Sequence, residues 1–303
     1  MKAEEIVEQI IVKTKKTAGS QRFKTRKEKE AFKVKTASQL AVKKLLKASS
    51  KVRKQLTEFE KELIETLTDV KKAKKEAKKA KDCAEIIKKL EKEYYIKTKY
   101  AENLKKAAEK RKQFYGRIAS LIKSIDFEAL EAYEKALRNL PRIKDTPTII
   151  IAGCPNVGKS ELLKRVSGVK VKTAPYPFTT KKLLIGFIRT PYHEIQLIDT
   201  PGLLDRDFSK MNKTEKKAIA ALKHLTDKVI FVIDPSETCG FSLKEQENLL
   251  KRIKERLKPK LMIVATKKDL CTEKYEKADM HLNLLEEKEV EKLVKEIIKF
   301  SEK

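Results

Sequence analysis

The first half of the chain carries apolar residues at steps of three and four, separated by lysine, glutamate and alanine. Across 38–70 they include Leu40, Leu45, Val52, Leu56, Phe59, Leu63 and Leu67, one stripe on a helical face. A second pattern of this kind covers 82–123, through Ile86, Leu90, Tyr94, Leu104, Phe114 and Ile118, and a shorter one covers 127–139. Residues 1–140 hold no proline and two glycines, Gly19 and Gly116, so little interrupts a helix. The pattern predicts an antiparallel helical bundle over 1–140.

Pro141 and Pro147 then punctuate the chain, with a linker at 141–146. Beyond it, short apolar runs at 148–152, 183–188, 194–198, 228–233, 261–266 and 280–282 read as strands. Helical patterns alternate with them at 159–166, 213–225, 242–257 and 286–300, the third opened by the capping-box pair Ser242 and Glu245. This alternation predicts an α/β domain over 147–303, with a mostly parallel six-stranded sheet and helices on both faces.

The strand ends carry the candidate chemistry. The first strand runs into Gly153-Cys154-Pro155-Asn156-Val157-Gly158-Lys159-Ser160, the pattern G-x-x-x-x-G-K-[ST] in its strand–turn–helix setting. The glycines let the backbone curl, so that N–H groups from Asn156, Val157 and Gly158 to Lys159, Ser160 and Glu161 can face phosphate oxygens. The helix N-terminus adds partial positive charge. Lys159 reaches the β- and γ-phosphates, and Ser160 offers its hydroxyl to Mg²⁺. The strand at 194–198 leads to Asp199-Thr200-Pro201-Gly202. Asp199, at the tip, reaches Mg²⁺ through water, and Gly202 offers its N–H to the γ-phosphate. Between these motifs lies Tyr176-Pro177-Phe178-Thr179-Thr180, a loop in which Thr180, in preference to Thr179, completes the Mg²⁺ shell. Lys159, Thr180 and Gly202 are thus candidate catalytic residues, and Ser160, Thr180 and Asp199 candidate metal ligands.

The strand at 261–266 ends in Thr266-Lys267-Lys268-Asp269. A carboxylate there accepts hydrogen bonds from guanine N1–H and the 2-amino group. Adenine presents neither donor and would leave Asp269 unpaired, so the motif selects GTP over ATP. Lys267 can lay its stem along the ring. Asn is the commoner first residue of this motif, and Thr266 is a variant of it.

Charge adds a partner class. The formal net charge is +28, and residues 1–150 hold 41 Lys and Arg against 22 Asp and Glu. Such an excess favours nucleic acid over an anionic membrane surface, although a thermophile-like Lys/Glu surface also raises charge content. The densest stretch, KKAKKEAKKAKD at 71–82, reads equally as an exposed helix end or connector and as an RNA contact. The tyrosines and Phe114 of 94–115 sit at helical spacing and read as core rather than as a stacking platform. Cys83, Cys154, Cys239 and Cys271 form no C-x-x-C pair, and the three histidines form no ligand cluster. Acids interrupt the N-terminal segment, which does not read as a signal peptide, and no run suits a bilayer.

Four segments together, GCPNVGKS, YPFTTKK, IDTPGLLDR and AIAALKHLTDKVIFVIDPSETCGFSLKEQ, resemble the Nog-type GTPases of the Obg group. That family is nucleolar in eukaryotes and has shorter archaeal relatives. The likeness extends into the helical N-terminal region, and the pairing of TPGLLDR with SETCGFSLKEQ is its most specific part. It implies an α/β P-loop GTPase domain preceded by an all-α helical bundle, with GTP and GDP as ligands. It also implies a role in large ribosomal subunit assembly, with the basic bundle against ribosomal RNA. Leu203 follows D-x-x-G, as hydrophobic residues do in the family. Leucine cannot orient an attacking water, so slow hydrolysis stimulated by RNA, a partner or a monovalent cation is expected. Asn156 is the residue type that binds K⁺ in related GTPases, so Mg²⁺ and K⁺ are the candidate cofactors. The family's Ser-Ala pair beside guanine is missing, and Asn283-Leu284-Leu285 stands in its place, with backbone contacts to the base. The end at Lys303 favours a prokaryotic, cytoplasmic form. Two alternatives stay open: an RNA-binding scaffold that holds GTP as a structural ligand, and a GTPase acting on tRNA or translating ribosomes.

Overall fold

A computed structural model describes residues 2–52, 55–168, 171–174, 182–191, 194–201, 204, 216, 219–225, 227–271 and 273–302. The chain divides into two compact units: residues 1–55 with 67–138, and residues 56–66 with 139–303.

The first unit is helical. It holds α1 (Ala3–Gly19), α2 (Arg26–Ser50), α4 (Val70–Lys99), α5 (Leu104–Lys123) and α6 (Phe127–Arg138), while α3 (Glu58–Leu67) falls almost wholly in the second. The 38–70 pattern is therefore divided between α2 and α3, and the 82–123 pattern between α4 and α5. Asp69 accepts from the Lys72 N–H at 2.9 Å to open α4, and Asn103 accepts from Lys106 N–H at 2.9 Å to open α5. Thr25 and Glu28 form a reciprocal capping box at the start of α2. The unit's core gathers Ile6, Ile10, Val34, Leu45, Ile87, Phe114, Ile118 and Ile122. Tyr94 and Phe114 meet there as tilted rings 5.6 Å apart and are core, whereas Tyr100, expected with them, is 73% exposed just beyond the end of α4. Alanines Ala37 and Ala41 of α2 and Ala73, Ala77, Ala80 and Ala84 of α4 are buried, and such small side chains suit close helix packing. The 71–82 run is an exposed helix end rather than a connector: it opens α4, alanines inward and Lys71, Lys74, Lys75, Lys78 and Lys81 in solvent.

The second unit is built on a seven-stranded sheet in the order β2-β3-β4-β1-β5-β6-β7. The strands are β1 (Thr148–Ala152), β2 (Lys172–Ala174), β3 (Leu183–Arg189), β4 (Glu194–Asp199), β5 (Lys228–Ile233), β6 (Lys260–Ala265) and β7 (Met280–His281). From β4 to β7 every pairing is parallel; β2–β3 and β3–β4 are antiparallel. The six strands expected from the sequence are thus joined by a seventh, β2, whose three residues include two exposed ones and carry no apolar alternation. Helices α7 (Lys159–Ser167), α8 (Leu243–Leu257) and α9 (Glu287–Glu302) belong to this unit. Every residue of β1 is buried, as a central parallel strand requires.

Two boundaries differ from expectation. Helix α3 buries Phe59, Leu63 and Ile64 and joins the second unit, where Glu62 pairs with His224 at 3.0 Å. The 141–146 linker also belongs to it: Lys144 N–H donates to Gln196 of β4 at 3.2 Å, and the Lys144 ammonium pairs with Glu194. Of the helix expected at 213–225, residues 213–215, 217 and 218 lie outside the described residues; 219–221 are helical and Leu222–His224 form a 3₁₀ turn.

Candidate nucleotide-binding site

The parallel register aligns the carboxyl ends of β4, β1, β5 and β6 along one edge of the sheet, where ligands of open α/β sheets bind. β1 leaves that edge through the glycine loop. Gly153 has φ +147°, and a Cβ there would lie 2.3 Å from the Val232 carbonyl of β5, so only glycine fits. Asn156 (φ 60°) and Gly158 (φ 97°) take left-handed conformations, which turn successive N–H groups to the concave side. Gly158 is also the N-cap of α7, so the helix opens directly from the loop. Lys159 is buried, and its ammonium spans the loop, donating to the Gly153 carbonyl at 2.9 Å and the Cys154 carbonyl at 2.7 Å.

Asp199, fully buried at the tip of β4, sits beside this loop because Ile151 pairs with it across the β1–β4 ladder. Ser160 Oγ donates to Asp199 Oδ2 at 2.7 Å. Together with Asn156, Gly158, Lys159 and Glu161 they line a cavity of about 400 Å³. A hydroxyl and a carboxylate side by side are hard oxygen donors, the chemistry suited to Mg²⁺. Among the described residues no cluster of three or more His, Cys, Asp or Glu forms a separate metal site.

A second set of contacts arranges the expected base side. Thr266 is buried, and its hydroxyl donates to the Val157 carbonyl at 2.7 Å, tying the end of β6 to the glycine loop. The variant residue therefore has a definite structural role. Lys267 takes φ 54° and turns its ammonium onto Asp234 Oδ2 at 2.7 Å and Thr238 Oγ1 at 2.9 Å. Asp269 stands exposed in the turn Lys268–Leu270. Leu284 is buried and lies close to Gly158, 3.4 Å from where a Cβ on that glycine would sit. The Asn283 side chain accepts from the Leu285 N–H at 3.0 Å, while the Asn283 N–H donates to Glu289 of α9 at 2.5 Å. The structure thus brings together Asn156, Val157, Gly158, Lys159, Ser160, Glu161 and Asp199 on one side and Thr266, Lys267, Asn283 and Leu284 on the other, with Thr266 joining the two.

Residues 148–268 match the family model described as a 50S ribosome-binding GTPase, and residues 1–144 match the NOG1 N-terminal helical domain. The chain is 39% identical to MJ1408 of Methanocaldococcus jannaschii over 80% of its own length and 70% of that protein. The chain belongs to the Nog-type family of GTPases. It is 37% identical to nucleolar GTP-binding protein 1 of Encephalitozoon cuniculi over 61% of this chain, and spans 35% of that longer relative. A solved structure described as nucleolar GTP-binding protein 1 from Plasmodium falciparum aligns over 54% of this chain and 90% of its own, at 32% identity and a TM-score of 0.47. As a Nog-type GTPase the chain binds guanine nucleotide through the second unit. No helix among the described residues is long and apolar enough to cross a membrane.

Thr180 and Gly202 lie outside the described residues, as do Thr179 and Leu203. Two residues of this Nog-type site escaped the sequence reading. Asp234, fully buried at the end of β5, accepts from Ser236 N–H and Oγ, Thr238 Oγ1, Cys239 N–H and Lys267 Nζ at 2.5 to 3.1 Å. Burial alone would raise its pKa, but Lys267 and the two hydroxyls more than reverse this and hold the carboxyl below its ordinary range. Gln246 of α8 pins the same turn by accepting from the Asp234 N–H and donating to the Asp234 and Phe241 carbonyls. The segment SETCGFSLKEQ, at 236–246, is the wrapping of this carboxylate. Glu289 is the other: it takes both Lys268 Nζ and Asn283 N–H, joining the two loops at the base side. An apolar strand ending in a lone Asp was the available signal for Asp234; none marked Glu289.

Proposed function

We propose that this Nog-type protein is a Mg²⁺-dependent, GTP-hydrolysing switch that acts in large ribosomal subunit assembly, with its helical unit against ribosomal RNA. The observation that carries the reading is one edge of the sheet on which a phosphate cradle and an Asp269-bearing turn are fixed together, in a chain whose α4 presents lysines to solvent. The printed names of the relatives, nucleolar and 50S ribosome-binding, support the ribosomal part.

In this reading Ser160 and Asp199 hold Mg²⁺, which supplies charge neutralisation at the β- and γ-phosphates. Lys159 leaves its two loop carbonyls for the phosphate oxygens and concentrates positive charge there as the γ-phosphoryl departs. Asp269 would read guanine N1–H and the 2-amino group, the Leu284 N–H would serve the base, and Lys267, whose ammonium Asp234 holds, would lay its stem along the ring. Thr180 and Gly202 report the γ-phosphate. Leu203 places no hydrogen-bonding group beside the attacking water, so hydrolysis is slow until RNA or a monovalent cation at Asn156 assists it.

The test is turnover of GTP and of ATP by the purified chain in K⁺ and in Na⁺, with and without large-subunit RNA. GTP-selective hydrolysis raised at least about tenfold by the RNA is expected. GTP binding with turnover unmoved by RNA or K⁺ would replace the switch with a scaffold that uses GTP as a structural ligand.

A further inference from the structure

The turn between α4 and α5, at one end of the helical unit, leaves large apolar side chains in solvent. Ile96 in the last turn of α4, Tyr100 at its C-cap and Leu104 at the start of α5 are 57%, 73% and 40% exposed. Scattered exposed apolar residues are ordinary, but three within nine residues at one turn form a patch. Among the described aromatic side chains, Tyr100 alone stands exposed.

The turn is held at three points. The Tyr100 N–H donates to the Ile96 carbonyl at 3.0 Å, the Asn103 side chain caps α5, and the Lys27 ammonium donates to the Ala101 carbonyl at 3.1 Å. The last contact brings the first turn of α2 to the same end of the unit. The patch therefore has a cationic setting: residues 92–106 hold five lysines against two glutamates, and residues 24–29 hold four Lys and Arg against one glutamate. Both glutamates of 92–106 are taken up locally, Glu93 by Lys97 and Glu102 by Lys106, at 2.5 Å each. Lys105 is exposed and makes no ion pair among the described residues, and the Lys99 ammonium lies 5.5 Å from the centre of the Tyr100 ring.

We infer that this turn binds unpaired RNA, with a base stacked on the Tyr100 ring and the neighbouring phosphates against Lys99 and Lys105. The inference rests on the ribosomal RNA contact proposed above and names the RNA feature that contact recognises. A tyrosine ring stacks on any base, since every base has a π face, and lysines beside it follow the phosphates. Double-stranded RNA keeps its bases inside and offers phosphates and 2′-hydroxyls, for which the lysines of α4 suffice without an apolar group. A protein partner fits less well, because three side chains among lysines fall far short of the roughly 20 to 30 residues that a stable interface uses on each side. The strapped turn also presents the ring already ordered, so little freedom is lost when a base lands on it.

The test uses the full chain and two fluorescein-labelled RNAs that share one stem, the first closed by a loop of about seven unpaired nucleotides with 2-aminopurine among them, the second a plain duplex. Anisotropy gives the affinity, and 2-aminopurine fluorescence, which stacking quenches, reports the base. The loop RNA is expected to bind more tightly than the duplex and to be quenched. Tyr100→Ala should weaken loop binding at least about fivefold and abolish the quenching, while duplex binding stays within about twofold. Tyr100→Phe, which keeps the ring, should stay within about twofold of the parent on both RNAs. The salt dependence of loop binding should be the same in Tyr100→Ala as in the parent, since no charge is lost. Helical circular dichroism equal to the parent's confirms that each variant is folded. Loop affinity and quenching unmoved by Tyr100→Ala, with binding retained, overturn the inference and leave the RNA contact of the helical unit standing. Absence of binding to either RNA at low salt overturns both. Binding to phosphatidylglycerol vesicles that Tyr100→Ala abolishes, with loop RNA affinity unchanged, would assign the turn to a membrane surface instead.

Discussion

The two units of this chain store function in opposite ways. In the α/β unit it rests on a few atoms fixed by buried contacts: Lys159 across its loop, Ser160 on Asp199, Lys267 on Asp234. In the helical unit the proposed RNA contact rests on many exposed lysines carried by helices whose inner faces are alanine, leucine and isoleucine. Losing one fixed atom in the first should therefore cost far more than losing one charge in the second.

Lys159→Ala is the most severe test of that contrast. It removes the buried cation from the phosphate cradle and should lower GTP affinity at least about a hundredfold, near 3 kcal/mol, measured by fluorescent-nucleotide titration. Asp234→Asn comes next. It leaves the Lys267 ammonium with an uncharged partner and should weaken GTP and GDP alike by about tenfold. A cycle with Lys267→Met should show a coupling of about 1–3 kcal/mol, which a purely structural Asp234 would not. Thr266→Val removes the hydroxyl bridge to the Val157 carbonyl and should destabilise the unit by about 1–2 kcal/mol, read as a lower midpoint in urea. Smallest is Lys75→Gln on α4, expected to change RNA affinity by less than about twofold while flattening its salt dependence by close to one charge.

A pH series sharpens the same comparison. The Asp234 carboxyl lies below its ordinary range in the folded chain. Its contribution is therefore complete above the unfolded carboxyl pKa, about 3.9, and is lost as pH falls through the lower folded value. The thermal midpoint of the parent should fall toward that of Asp234→Asn only below about pH 4, and the two should stay apart at pH 7.

What could be read in the sequence follows the range of the forces involved. The glycine loop, Asp199 and the 266–269 motif are local: each is a strand end followed by a turn, and neighbours in sequence determine its shape. Asp234 and Lys267 are 33 residues apart, and Lys268 and Glu289 are 21 apart, so only the assembled β5–β6–β7 ladder brings them together. Helical period showed that Phe59, Leu63 and Ile64 share a buried face, but period says nothing about which core receives it, and α3 went to the second unit. The break at Asn103 was visible as a capping residue, yet the apolar steps on either side keep nearly the same phase and hid it.

The most direct measurement of the central claim, a guanine site read by Asp269, is the affinity of the parent and of Asp269→Asn for GTP and for xanthosine triphosphate. Xanthine carries an oxygen where guanine carries the 2-amino group, so an amide there matches xanthine and a carboxylate matches guanine. Expected is a loss of GTP affinity of at least about a hundredfold in Asp269→Asn, with a gain for xanthosine triphosphate. Unchanged GTP affinity in that variant would contradict the assignment of Asp269 and of the site built around it.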